Sequence, residues 1–364
     1  MPRCSSKHAC KFEEVWMKVE EARKAAARWV DQHASREAGF LGAYFSGSTV
    51  GLPGEADLPE SSDIDLIVVT QPTEPPPKLG KFRYEQALLE ATYLSWSQLA
   101  SAEAVLSDYH LAGSFRTDTI IADPTGRLRR LQAEVAPRFA EKPWVLRRCK
   151  HAHDRIERGL RSIDPEAPRQ DQVLGWLFPT GVTTHVLLTA ALRNPTIRLR
   201  YLAAREVLEA YGHSETYAEL LPLLGCSQLT AQRTEEHLKA LERTYDTAAA
   251  RVATPFPFLS DITPGARSVA IDGSRELIER GRHQEAVFWI TATFARCHQM
   301  LAADAPEEGE RLAPDFHALL ADLGVGTTAA LLQRADEVLR YLPRLMAVAQ
   351  ALVDANPAIK PGST

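Results

Sequence analysis

The sequence predicts an α+β chain, with a β-sheet and flanking helices in residues 1–140 and an all-helical region in residues 141–364. Three observations point there. Before about Pro143, short apolar runs of strand length stand between turn-forming clusters; beyond it, long runs of helical period take over. A chain of 364 residues also exceeds what one hydrophobic core usually organises, which favours two domains.

Taken in order, residues 13–34 carry Val15, Val19, Ala22, Ala26 and Val30 at helical spacing and predict a first amphipathic helix. Residues 40–45 form an apolar run that stops at Ser46-Gly47-Ser48, a first strand. After a loop rich in Gly, Pro and acids, residues 63–69 read as a second strand whose apolar end implies burial on both faces. The prolines from Pro72 to Pro77 form an exposed connection. A third strand is expected over residues 86–95 and a fourth over 117–122, closed by the turn Asp123-Pro124-Thr125-Gly126. Helices are expected over residues 145–162, 200–211, 230–251 and 327–355, with connections at 255–264 and 306–310.

Composition narrows the function. With 45% hydrophobic and 24% charged residues and a net charge of −5, the chain reads as globular and lacks the basic surface that polynucleotide binding needs. A small substrate is expected, not nucleic acid. Five scattered cysteines do not make a secreted disulfide framework, so a cytoplasmic protein is expected. Cys4, His8 and Cys10 offer soft metal ligands, but no second cluster completes a tetrahedral zinc site, and a frayed tail is the plainer reading. The opening residues do not read as a signal peptide. The apolar runs read as too short or too interrupted by charge for a membrane.

The chemistry centres on Asp63 and Asp65. Side chains two apart on a strand share a face, so these carboxylates stand side by side with backbones about 7 Å apart, suited to joint ligation of a hard cation. Magnesium prefers carboxylate and phosphate oxygens and keeps part of its water shell, so few protein ligands suffice when a triphosphate completes the shell. Gly47-Ser48 ends the preceding strand, where a missing side chain lets backbone amides approach phosphate and a hydroxyl can donate to it. Glycine spacing fits no dinucleotide fingerprint, and no Gly-Lys-Ser/Thr phosphate loop is present.

The order Phe45-Ser46-Gly47-Ser48, loop, Ser62-Asp63-Ile64-Asp65-Leu66-Ile67-Val68-Val69 resembles the signature of the DNA polymerase β-like nucleotidyltransferases. Among them the chain is most similar to the kanamycin-type antibiotic nucleotidyltransferases, through Leu89-Glu90-Ala91-Thr92-Tyr93-Leu94-Ser95 and Ile120-Ile121-Ala122-Asp123-Pro124-Thr125-Gly126. The resemblance covers about the first 130 residues. It implies a nucleotidyltransferase domain with a mixed sheet flanked by helices, followed by an all-α domain.

It also implies a third metal ligand on a following strand, Glu90, with Asp118 as its rival, and a base on the first helix of the second domain, Glu157, with Asp154 one turn before it. The expected activity is magnesium-dependent transfer of a nucleoside monophosphate from a nucleoside triphosphate such as ATP to a hydroxyl of a small, aminoglycoside-like acceptor. A catalytically reduced nucleotide-binding module of the antitoxin type is the alternative. In the loop before Asp63, Leu52 and Pro53 stand near where several relatives carry an arginine for the triphosphate. Phosphate binding then falls to Lys78, Lys81, Arg83 or an arginine of the helical region. His151, His153 and His283, the Arg148/His153 spacing, and the group Arg193, Arg198, Arg200 and Arg205 read more simply as structural or solvated residues.

Overall fold

The computed structural model describes residues 17–362; Cys4, His8 and Cys10 lie outside them. The fold is mixed α/β. Strand β1 (Met17–Lys18) leads into helix α1 (Val19–Gln32), whose apolar stripe Val19, Ala22, Ala26 and Val30 is fully buried. Strands β2 (Phe40–Phe45), β3 (Asp57–Leu58), β4 (Ile64–Thr70), β5 (Gly80–Tyr84) and β6 (Ala87–Ser95) follow. After α2 (Ala102–Ser107), β7 (Ile120–Ala122) and α3 (Arg127–Val135), the chain is helical.

The main sheet has the order β5-β6-β4-β2-β7, with β4 and β6 parallel and the other neighbours antiparallel. Period-two alternation divides it into two faces. Ile64, Leu66 and Val68 of β4 pack with Leu89 and Ala91 of β6 against α1. Tyr44 and Val69 face the other way, onto Val105 and Leu106 of α2 and Leu128 and Leu131 of α3. On that second face Asp65 emerges at the start of β4, where the helices no longer cover the sheet and a cavity opens.

The remaining helices are α4 (Lys142–Arg161), α5 (Arg169–Ala190), α6 (Arg200–Ala210), α7 (Ser214–Leu224), α8 (Ala231–Arg251), α9 (Gly273–Glu279), α10 (His283–Asp304), α11 (Pro306–Asp322) and α12 (Thr328–Ala355). They share one core built around α5 and α10. Among the described residues α5 is the one helix long and apolar enough to cross a membrane, and 78% of its apolar window is buried inside the fold.

Among the elements that differ from the sequence expectation, three have a local physical reason. Strand β5 was not expected, because its hairpin to β6 turns through Glu85 and Gln86, both at positive φ (46° and 69°), without the Asn or Gly that signals such a turn. The fourth strand is shorter than residues 117–122, because Asp118 accepts from the Ile120 amide in a local turn. Residues 306–310, read as a connection, open α11 instead. Pro306 occupies the first turn with Glu307 and Glu308, a helix start in which proline lacks an amide that would go unpaired and the acids face the positive helix end.

Candidate active site

Strand register builds the site. Asp65 of β4 is the parallel partner of Glu90 in β6, and Glu90 is the antiparallel partner of Lys81 in β5. Lys81, Glu90 and Asp65 therefore form one row across three strands on one face. Asp63, two residues before Asp65, projects from the same face just ahead of β4. Oxygens of Asp63, Asp65 and Glu90 come within 4.8 Å of one another, a spacing that suits a single oxygen-ligated cation.

The lysine draws the row together. Lys81 Nζ lies 2.8 Å from Asp63 Oδ2, touches Glu90, and lies 3.1 Å from Asp261 Oδ1, with its side chain only 7% exposed. Lys78 adds a second ammonium on Glu90. Asp261, from the short helical turn before Ile262, is held on its other oxygen by Arg296 of α10 at 2.8 Å.

Charge and burial set the protonation states. Burial and the Asp63 carboxylate push Asp65 up to about 7, against the pull of Lys81 and Lys78. Burial would lower the Lys81 ammonium, but Asp63 and Asp261 outweigh it and hold it above the ordinary lysine value. Asp261 runs the other way: burial works to raise it, and Lys81 with Arg296 brings it below the usual carboxylate range.

Gly47 and Ser48 line the same cavity as the three carboxylates. Gly47 has φ 73°, and a Cβ there would overlap the Asp65 carboxylate, so both backbone and space call for glycine. The Ser46 amide donates to the Asp65 carbonyl at 2.9 Å, tying the end of β2 to the cluster. Asn194 Nδ2 donates to the Gly47 carbonyl at 3.0 Å, while Asn194 Oδ1 is buried with no hydrogen-bond partner among the described residues. The cavity measures about 350 Å³ and is closed on the helical side by Ile197, Arg198, Trp289 and Arg296. Trp289 Nε1 is likewise buried and unpartnered among the described residues.

Of the two candidates for a third carboxylate, Glu90 joins the pair and Asp118 does not. Asp118 is 66% exposed, lies 3.7 Å from Arg129 and is absent from the cavity wall. The expectation for Glu157 needs correction. It projects from α4 outside the cavity and pairs with Arg161 at 2.9 Å, beside His153 and Asp154, because α4 turns Val145, Cys149, Ala152 and Ile156 into the helical core and leaves Glu157 off that stripe.

Among the cations proposed for phosphate, Lys78, Lys81 and Arg198 line the cavity, whereas Arg83 does not and donates to the Gln86 carbonyl. Arg198 donates to the carbonyls of Ser61 (3.1 Å) and Gly273 (3.2 Å). Arg200 is buried over Phe288, and Arg205 pairs with Glu209 and Glu285, so the arginine group does not act as one patch. Arg148 is buried, donating to the carbonyls of Leu106 and Phe139; His283 contacts the Leu229 carbonyl at 2.9 Å, and His151 stands 3.7 Å from Asp108.

Asp261, Arg296, Trp289 and Asn194 were not anticipated. Asp261 sits in the proline-rich span read as a connection, where no periodicity marks a residue and only the tertiary fold brings it to Lys81. No protein-family model matches the chain, and comparison with curated proteins returns no match.

Proposed function

We propose that the chain is a magnesium-dependent nucleotidyltransferase of the DNA polymerase β-like type, moving a nucleoside monophosphate from a nucleoside triphosphate to a hydroxyl of a small molecule. The observation that carries this reading is the set of three carboxylates, Asp63, Asp65 and Glu90, gathered within 4.8 Å on one wall of a cavity that also holds Gly47-Ser48. All three donors are hard oxygens, which fits magnesium, and glycine at position 47 leaves the Asp65 carboxylate free of overlap. Two domains, residues 1–140 and 141–364, form part of the same reading, with the cavity between them.

Bound there, magnesium would supply charge neutralisation for phosphate oxygens during attack on the α-phosphorus. The chain supplies the rest. Asp63, Asp65 and Glu90 would hold the ion; the Ser48 hydroxyl and neighbouring amides would cradle phosphate oxygens; Lys78, Lys81 and Arg198 would offset their charge. Ile197 and Trp289 give the acceptor or base an apolar and aromatic wall, and a volume near 350 Å³ suits a small ligand better than a polymer. An aminoglycoside-like acceptor belongs to this proposal, and Glu157 does not, since it stands outside the cavity.

One observation favours a second reading, a nucleotide-binding regulatory module without turnover: Lys81 already neutralises the carboxylates that a metal would use. Pyrophosphate release separates the two. The purified protein is offered each of the four nucleoside triphosphates with magnesium and a panel of hydroxyl acceptors, beginning with aminoglycosides and lincosamides. Magnesium-dependent pyrophosphate release that is lost in Asp65→Asn supports the enzyme. Absence of any magnesium-dependent nucleotide binding by calorimetry sinks both readings.

A further inference from the structure

The Lys81 ammonium has three N–H donors, and three carboxylates from three separate segments surround them: Asp63 ahead of β4, Glu90 on β6 and Asp261 from the helical region. Two of these belong to the group that would ligate a metal. The third does not, and it is anchored independently by Arg296. Register fixes this arrangement, since Lys81 stands directly opposite Glu90 on the neighbouring strand and its side chain has almost no access to solvent.

We propose that Lys81 is the resident counterion of the carboxylate trio, a built-in competitor that keeps divalent cations out until a nucleotide triphosphate arrives. The proposal rests on the nucleotidyltransferase reading of the same site and adds a rule for its loading. Lys81 occupies one oxygen of Asp63 and one of Glu90, and its positive charge repels a divalent ion brought to the same carboxylates. Close approach of a divalent ion therefore favours release of Asp63 and Glu90 by Lys81. It need not become an unpaired buried charge, because Asp261 still holds it. An incoming triphosphate adds negative charge beside the displaced ammonium. Metal and nucleotide thereby bind with positive coupling, and binding of bare metal is suppressed.

Asp261 gives the exchange its second anchor. Since it comes from the helical region while Lys81 comes from the sheet, the same contact ties the two walls of the cavity together. Lys78 is a lesser partner, touching Glu90 from a side chain 33% exposed.

Manganese, followed by electron paramagnetic resonance, tests this without any turnover. In the absence of nucleotide, Lys81→Met should bind Mn²⁺ more tightly than the parent, on the order of tenfold. Asp261→Asn should bind it more weakly, because Lys81 then has only the trio to hold. Lys78→Met should change it less than Lys81→Met. With α,β-methylene-ATP added, the nucleotide's enhancement of Mn²⁺ affinity should be larger in the parent than in Lys81→Met. Circular dichroism confirms that each variant is folded, and Asp261→Asn keeps the test decisive if Lys81→Met is not.

Equal or weaker Mn²⁺ binding by folded Lys81→Met overturns the proposal, as does unchanged or tighter binding by Asp261→Asn. If Asp65→Asn abolishes Mn²⁺ binding while Lys81→Met matches the parent, the metal site stands and only the counterion role falls. If no form binds Mn²⁺ with or without nucleotide, the nucleotidyltransferase reading falls with it.

Discussion

Asp65 and Glu90 meet across a single rung of the sheet, so neither carboxylate can be changed without altering the counterion balance of the other. Under the proposed function, Asp63→Asn, Asp65→Asn and Glu90→Gln should each lower turnover at least about a hundredfold, the usual cost of removing a group that stabilises transferring phosphate charge. Asp118→Asn and Glu157→Gln should stay within about twofold of the parent, because surface ion pairs such as theirs contribute little. Pyrophosphate release by the purified variants decides this, and a Glu90→Gln enzyme as active as the parent would remove the third ligand. The residue-level difference between Asp63-Asp65 and Asp261 explains what the sequence disclosed. The first pair announces itself through alternation in an apolar strand. Asp261 stands among prolines with no period around it, and its meaning comes entirely from Lys81 and Arg296, which lie far away in the chain.

Strands and turns, one scale up, put those residues within reach of each other. The end of β2 reaches the cluster only because Gly47 takes a φ of 73° and leaves no Cβ against the Asp65 carboxylate. Gly47→Ala should therefore weaken Mn²⁺ and nucleotide binding together and cost about 1–3 kcal/mol of stability through the left-handed backbone alone. Calorimetric affinity alongside chemical denaturation measures both, and an alanine variant with parental affinity would show that the end of β2 does not shape the site. The β5–β6 hairpin carries strain of the same kind at Glu85 and Gln86, away from the site. Gln86→Gly should raise stability by about 0.5–1 kcal/mol, since glycine adopts that backbone freely. That strain is also why β5, and with it the register that aims Lys81, was not legible: the usual turn residues are missing. Helices α5 and α10 escaped for a different reason. Both are buried nearly all round, and a helix without a polar face shows no amphipathic period.

For the whole molecule, the cluster makes stability depend on pH in a direction that can be worked out. Burial and the Asp63 charge raise Asp65 to about 7 from an ordinary value of 3.8. Below about 3.8 the group is protonated in both folded and unfolded chains and contributes nothing. Between 3.8 and 7 the unfolded chain has lost the proton that the folded chain keeps, so stability falls as pH rises through that window, and above it the full penalty remains. The buried histidines oppose this. Burial lowers His298 to about 4 and holds His185 well below its ordinary value, so the unfolded chain takes up protons first as pH falls, and their contribution to stability rises with pH up to about 6.5. The total pH profile therefore conceals the Asp65 effect, but the difference between the parent and Asp65→Asn cancels the histidines. In metal-free buffer the melting temperature of Asp65→Asn should exceed that of the parent by an amount that grows from pH 4 to pH 7, reaching a few degrees. Magnesium with α,β-methylene-ATP, which binds the ionised trio, should close that gap by stabilising the parent more than the variant at pH 7.5. Thermal melts of both proteins across this range provide the test. A difference that stays flat with pH would mean that Asp65 keeps an ordinary carboxylate's acidity inside the fold, and a gap that the magnesium–nucleotide complex leaves untouched would mean that the trio is not where that complex binds.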